Sequence, residues 1–299
     1  MRHSGIVETP TIEGDRPERL FGANPEVYRI VATTASSDPD GGTGRRSGTQ
    51  SIERVVGMLR VVASRGRSGM RLGEVTAATG LPTSTCHRLL QRLESEGLLD
   101  RHPVTRKYFL GPLLHEFGLL ARPRYRLAER CGPALSDLAE RTQDTVYLSE
   151  RRGPEAVCTA RALGDYPVKA LTLDVGIRRP LGVGVGGLAI LCAMPREEAD
   201  AVIAANAPLY AKLSMLDAER VQAAVRLGRE QGFAFLDGPV VPGTAAVGIA
   251  FPAGAPVAAI SVAAISARLD ASRRVEVADE LRRQVRRLEA DLAVAGRIG

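Results

Sequence analysis

Residues 71–110 read RLGEVTAATGLPTSTCHRLLQRLESEGLLDRHPVTRKYFL, and this run decides the first half of the fold. A short helix is expected from Gly73 to Thr79, stopped by Gly80, with Leu81 as a buried turn residue. Pro82 suits the first position of a second helix that continues to Glu96 and stops at Gly97. Along that helix Cys86, Leu89, Leu90 and Leu93 recur at helical spacing and point inward. The opposite face carries Thr83, Ser84, His87, Arg88 and Gln91, with Thr85 near its edge. Next, Leu98–Arg101 and Lys107–Leu110 pair as a hairpin across HPVT. Two helices, a tight turn and a basic hairpin make a winged helix-turn-helix, which sets one helix into the major groove of DNA. Short hydroxyls near a helix start suit phosphate oxygens, and Arg can read guanine through two hydrogen bonds. On the hairpin Arg101, Arg106 and Lys107 would reach flanking phosphates. An ordinary amphipathic helix has the same spacing; the preceding helix, the glycine turn and the hairpin distinguish the two.

The charge agrees. Arg45 to Gly111 holds twelve Lys or Arg against five Asp or Glu, an excess of seven, while the whole 299-residue chain carries +6. The basic excess therefore sits in this one segment, as phosphate binding requires. Trp is absent and aromatic residues are 4%, so the cores must be built from Ala, Val, Leu and Ile. Cys86, Cys131, Cys158 and Cys192 form no CxxC pair, which argues against zinc and a disulfide framework. They read as small apolar residues of a reducing cytoplasm. No secretory leader is visible. Gly238–Ala267 is uncharged and long enough to span a bilayer. Its Pro239, Pro242, Pro252 and Pro256 fit a hairpin of buried strands better. A cytoplasmic protein without a membrane segment is expected, needing neither metal nor cofactor.

Outward from this core, residues 1–48 are expected to be a flexible tail. Its Arg45 and Arg46 suit either a minor-groove arm or a solvated tether. A first helix, capped by Ser51, should run from Ile52 to Ser64 and bury Ile52, Val55, Val56, Leu59 and Val62. The DNA-binding domain is thus 49–111. Residues 112–124 form an apolar linker helix (Leu113, Leu114, Phe117, Leu119, Leu120) that offers a dimer contact. Residues 125–299 make the second domain. Helices are expected over 125–141, 188–193, 196–206, 217–231 and 272–294. Strand-like runs cover 145–149, 156–160, 168–174, 233–236, 245–251 and 257–266. That order predicts an α+β domain with a largely antiparallel sheet.

Within it, PLGVGVGGLAIL (180–191) satisfies G-x-G-x-x-G through Gly182, Gly184 and Gly187 and leads into a helix. A dinucleotide site would need a strand directly before the glycines and an acid about twenty residues later. Arg178, Arg179 and Pro180 intervene, and Glu197, Glu198 and Asp200 come too early. Two readings stay open: backbone amides that hold a small anion, and plain close packing of helix on sheet.

Taken together, SIERVVGMLRVVAS (51–64), LGEVTAATGLPTSTCHRLLQRLESEGLL (72–99) and KYFLGPLLHEFG (107–118) resemble the N-terminal half of IclR-family transcriptional regulators. The later runs LSDLAERTQDTVYLSERRG (135–153), LDVGIRRPLGVGVGGLAIL (173–191), GFAFLDGPVVPGTAAVGIAF (232–251) and PVAAISVAAISARL (256–269) resemble the C-terminal half. The resemblance implies a winged helix joined by a linker helix to a GAF-like effector-binding domain. It further implies a homodimer or dimer of dimers on a palindromic operator in double-stranded DNA, and a small-molecule effector, commonly an organic or aromatic acid. By position, Ser84, Thr85 and Arg88 match the family's Ser-Thr-x-x-Arg core. Thr83 stands where the family often has Lys or Arg, which removes one phosphate contact. The effector pocket falls to Val185, Gly186, Ala246, Ser261 and Ala263, with Asp237 and Arg161 as further candidates. Members that bind small keto acids resemble this pattern but carry Cys and Ser where this chain has Ala246 and Ala263. A more apolar effector is therefore expected, its polar end held by Ser261 and the loop amides.

Two other functions compete. The second domain could be an enzyme, but the four histidines, at 3, 87, 102 and 115, all precede it, and no H-x-x-x-H, G-x-S-x-G or P-loop occurs. A nonspecific architectural DNA binder would not need a second domain with a glycine-lined pocket.

Overall fold

The computed structural model describes residues 49–122, 125–213, 216–238 and 241–294. The expected tail and its Arg45 and Arg46 lie outside them. The N-terminal module consists of α1 (Thr49–Ala63), α2 (Leu72–Thr79), α3 (Thr83–Ser95), β1 (Leu99–Arg101) and β2 (Tyr108–Leu110). α2 ends at Gly80 in the left-handed conformation, and its N–H bonds back to the Thr76 carbonyl. Pro82 is the N-cap of α3 rather than its first residue, a shift of one position. The hairpin pairs Leu99 with Leu110, Asp100 with Phe109 and Arg101 with Tyr108. Met58, Val61 and Val62 of α1 pack on Val75, Cys86, Leu90, Leu93, Leu99 and Tyr108 to form this module's own core.

α1 corrects two expectations. It is already helical at Thr49, so Ser51 lies inside the helix instead of capping it. Its buried face is also rotated. Ile52 and Val56 are exposed, at 64% and 38%, whereas Met58 and Val61 are buried. The apolar residues of α1 wrap around more than one face, and contact with α2 and β2 selects among them.

α4 (Pro112–Ala121) leads out of the hairpin and buries none of its residues. The C-terminal part is α5 (Leu127–Thr142), β3 (Thr145–Arg152), β4 (Glu155–Leu163), β5 (Arg178–Pro180), α6 (Val185–Ala193), α7 (Arg196–Tyr210), α8 (Ala218–Gln231), β6 (Ala234–Asp237), β7 (Thr244–Phe251), β8 (Ala258–Ile265) and α9 (Ala271–Val294). Its six strands form one sheet in the order β5-β4-β3-β8-β7-β6. Every pairing is antiparallel, as the strand patterns predict. α5 and α9 cover one face, where Val146, Leu148, Val247, Ile260 and Val262 meet Leu135, Leu138, Val277 and Leu281. α6, α7 and α8 supply the core on the other side, with Leu188, Ile190, Ile203, Tyr210 and Val225. At one corner the buried Asp144 carboxylate takes the Arg268 guanidinium on both oxygens (Nε 3.0 Å, Nη2 3.1 Å) and Arg273 Nη2 at 3.2 Å. This forked, charge-assisted pairing ties the start of β3 to the chain entering α9.

Residues 168–174 are not a strand. Their backbone is held by side chains: Tyr147 Oη donates to the Ala170 carbonyl (2.8 Å) and accepts from the Thr172 N–H (3.1 Å). The β4 edge pairs with the shorter β5 instead. α7 also runs four residues past Asn206, through Pro208, to Tyr210. Among the described residues no helix is long and apolar enough to cross a membrane.

Candidate functional site

Sheet register builds the floor of a cavity. Tyr147 pairs with Ser261, which pairs on its other side with Gly248; Ala263 pairs with Ala246. Residues two apart on a strand share a face, so Ser149 joins Tyr147, and Ser261 joins Ala263. Over this face lies the N-terminus of α6. Gly186 touches the sheet: a Cβ there would sit 2.5 Å from Ser149 Oγ and 2.8 Å from its Cβ. Gly248 meets the same helix end, its Cβ position 3.3 Å from Val185 Cγ2 and the Val185 carbonyl oxygen. The close-packing reading of the glycine loop is what the contacts show. The glycines permit close packing, and that packing brings a helix N-terminus onto the sheet. α6 makes its first internal bond from the Leu188 N–H to the Gly184 carbonyl (3.0 Å). The Val185, Gly186 and Gly187 amides lie outside that ladder, at the positive end of the helix dipole.

The cavity has an empty volume of about 670 Å³, counting its open mouth. Val185, Gly186, Ala246, Ser261 and Ala263 all line it, as expected. Asp237 does not. Its exposed carboxylate accepts from Ser266 Oγ at 2.6 Å, because strand alternation puts the preceding Leu236, not Asp237, on the cavity face. Arg161 is drawn off as well, into an ion pair with Asp174 at 3.1 Å.

Sequence reasoning missed Tyr147, Ser149, Thr172 and Arg179, which also line the cavity. Period-two spacing along β3 could have found the first two. Nothing in RRP distinguishes Arg179 from Arg178. In the fold Arg178 pairs with Glu155 at 2.9 Å. Arg179 turns to the cavity, with Nη2 2.6 Å from the Thr172 carbonyl and Nη1 3.5 Å from where a Gly184 Cβ would lie. Among the described lining residues it is the one formally charged side chain. Most of the remaining lining is Val, Ala, Leu and Gly. Burial pushes the Tyr147 hydroxyl above its ordinary range, so it stays protonated as a hydrogen-bonding group.

Three of the cysteines are not poised as nucleophiles. Burial pushes the thiols of Cys158 and Cys192 up to about 11 and that of Cys131 to about 12, far from thiolate at neutral pH. Among the described residues no group of three or more His, Cys, Asp or Glu is arranged to hold a metal.

On the N-terminal module, α3 exposes Thr83, Ser84, Arg88 and Gln91 along one side; Thr85 and His87 are half-buried beside them. Arg106, at the hairpin tip, is exposed with a left-handed φ of 57°. Arg101 folds back over the Tyr108 ring at 5.0 Å. Lys107 Nζ donates to the Ser68 carbonyl at 2.9 Å.

Both halves match a known family. The model for the bacterial transcriptional regulator IclR C-terminal domain matches residues 122–290. The IclR helix-turn-helix domain matches residues 51–103. The chain belongs to the IclR family. Among curated IclR-like relatives, the HTH-type transcriptional regulator KipR of Bacillus subtilis is 32% identical over 137 residues, 46% of this chain and 54% of KipR. TtgV of Pseudomonas putida, also an HTH-type transcriptional regulator, is 26% identical over 170 residues, 57% of this chain and 64% of TtgV. The matches thus span between half and two thirds of those relatives. A solved IclR homolog from Microbacterium hydrocarbonoxydans, complexed with 4-hydroxybenzoate, superposes with a TM-score of 0.61 at 22% identity, covering 81% of this chain and 98% of that one. At that identity the likeness establishes the fold. The relatives named here as regulators lend no support to the enzyme reading.

The glycine contact in this IclR-family domain has a testable consequence. Gly186→Ala should destabilise the protein by about 1–3 kcal/mol through overpacking, and Ser149→Gly in the same chain should restore most of the loss. Urea unfolding of the two singles and the double checks this. Equal losses with and without Ser149→Gly would place the strain elsewhere.

Proposed function

We propose that this chain is a sequence-specific DNA-binding transcriptional regulator whose operator affinity is set by an organic acid, most suitably an aromatic one. The observation that carries the reading is the pairing of Arg179 with the α6 N-terminus in an otherwise apolar cavity. One cation and a helix dipole, with no carboxylate among the described lining residues, favour an anion. The apolar walls suit a ring or a hydrocarbon body. The ligand carboxylate would bridge Arg179 and the Val185–Gly187 amides. Ser149 and Ser261 would take a polar group at the other side. The 4-hydroxybenzoate bound by the Microbacterium relative has this chemistry.

DNA contact is assigned to α3, with Thr83, Ser84, Thr85 and His87 at its start, Arg88 and Gln91 reading base edges, and Arg101, Arg106 and Lys107 adding positive charge from the hairpin. The working unit is a homodimer or dimer of dimers on a palindromic operator. Supporting this, α4 is an apolar helix with no fully buried residue, and Phe117, Leu119 and Leu120 are exposed at 53, 55 and 80%. A second copy would cover them together with Ile52 and Val56 of α1. The effector then acts by binding one arrangement of the dimer better than the other.

Two substitutions test the assignments. Arg179→Ala should weaken binding of an aromatic monocarboxylate about 10- to 100-fold, the worth of a charge-assisted hydrogen bond of ~1.5–3 kcal/mol. Its neutral amide analogue should bind both proteins alike in calorimetric titration. Equal losses for acid and amide would remove Arg179 from the carboxylate contact. Arg88→Ala should cost about 1–3 kcal/mol and relax preference at one base pair of the operator. A uniform loss across all sequences would make Arg88 a phosphate contact instead.

A further inference from the structure

We infer that Arg65, Arg67 and Arg71 form a second phosphate-binding surface beside the hairpin, holding DNA backbone outside the segment read by α3. The inference rests on the DNA-binding reading above and adds residues that α3 and the hairpin do not supply. The connection from α1 to α2, residues 64–71, is sewn to the hairpin. Met70 and Tyr108 exchange backbone hydrogen bonds in both directions, at 3.0 and 2.7 Å. Lys107 Nζ fixes the Ser68 carbonyl from the other side. The antiparallel sense of that bridge carries Arg71 alongside Lys107, toward the tip where Arg106 stands.

Arg65, Arg67, Arg71 and Arg106 are exposed, and Lys107 is half-buried between them. The carboxylate in contact with this group is Glu74, with Oε1 4.0 Å from Arg65 Nη2 and Oε2 accepting from the Arg71 N–H at 2.8 Å. Among the described residues five cations thus meet one acid. Such a cluster repels itself in the isolated chain and is relieved by a polyanion. Three of the five are arginines on a short connection, and the forked guanidinium suits phosphate oxygens better than a point charge does. Arg71 is moreover the N-cap of α2, the first helix of the helix-turn-helix, which crosses the DNA backbone in this class of motif. A regularly spaced row of phosphates, continuing past the hairpin, is the partner that fits. The surface carries no base-reading group in a groove, so its contribution should be independent of sequence.

The test uses the full chain and a duplex that the wild-type protein selects from a random-sequence library. Affinity is measured across a salt series for wild type, for R65A/R67A/R71A and for R65K/R67K/R71K. Each lost phosphate contact should lower the slope of log affinity against log salt by about 0.9, so the alanine triple should lose roughly 2–3. Its affinity near physiological salt should fall at least tenfold for the selected duplex and scrambled DNA alike. The lysine triple should keep most of the slope, which separates charge from any folding defect. An alanine triple with wild-type slope and affinity within twofold would overturn the inference while leaving the regulator reading intact. So would a lysine triple that falls as far as the alanine one. A wild-type protein that selects no sequence would overturn the regulator reading itself.

Discussion

The approach of α6 to the sheet governs the C-terminal half of this protein. A helix can rest on β3 and β7 at this distance only where two side chains are missing, at Gly186 against Ser149 and at Gly248 against Val185. Once that contact is made, the helix N-terminus stands over Tyr147, Ser261 and Ala263, and a cavity is left beside it. The cavity therefore follows from the packing. The same glycines that let helix and sheet meet give the site its amides and its positive dipole end.

The two faces of the sheet divide the work. On the side of α5 and α9, Val146, Val247, Ile260 and Val262 are buried in a dry core closed at one corner by Asp144, Arg268 and Arg273. The other face alternates with it, strand by strand, and presents Tyr147, Ser149, Ser261 and Ala263 to the cavity. The first face makes the sheet rigid; the second can then be polar in a few fixed places. The loop over 168–174 belongs to this second side. Tyr147 and Arg179 both hold its backbone while both lining the cavity. The N-terminal module has a core of its own, and α4 connects it to the rest without burying a residue.

Local patterns were legible in the sequence where one period dominated. The spacing of Cys86, Leu90 and Leu93, with Gly80 before and a basic hairpin after, located α3 to within a residue. The alternating β7 and β8 runs, broken by PAGAP, marked a hairpin of buried strands. Five of the seven residues expected at the cavity line it, because each lies in a run whose family likeness fixes its place. The misreadings occur where tertiary contact decides. Residues 168–174 look like a strand, yet Tyr147 takes their hydrogen bonds. α1 is apolar on several faces, so its periodicity alone misassigned Ile52 and Val56. Asp237 turns to Ser266 because the alternation of β6 gives the cavity face to Leu236. Arg179 was invisible beside Arg178, since only the fold gives Arg178 its Glu155 partner and leaves Arg179 facing the cavity.

The central claim is that an acid in the cavity and DNA on α3 are linked in one protein. The most direct measurement is the affinity for the selected operator duplex, at one fixed salt concentration, with and without aromatic carboxylates that thermally stabilise the protein. The account predicts that at least one of them changes operator affinity by about 5- to 150-fold, the range of ordinary coupling free energies. Carboxylates that bind the cavity and leave operator affinity unchanged would contradict it.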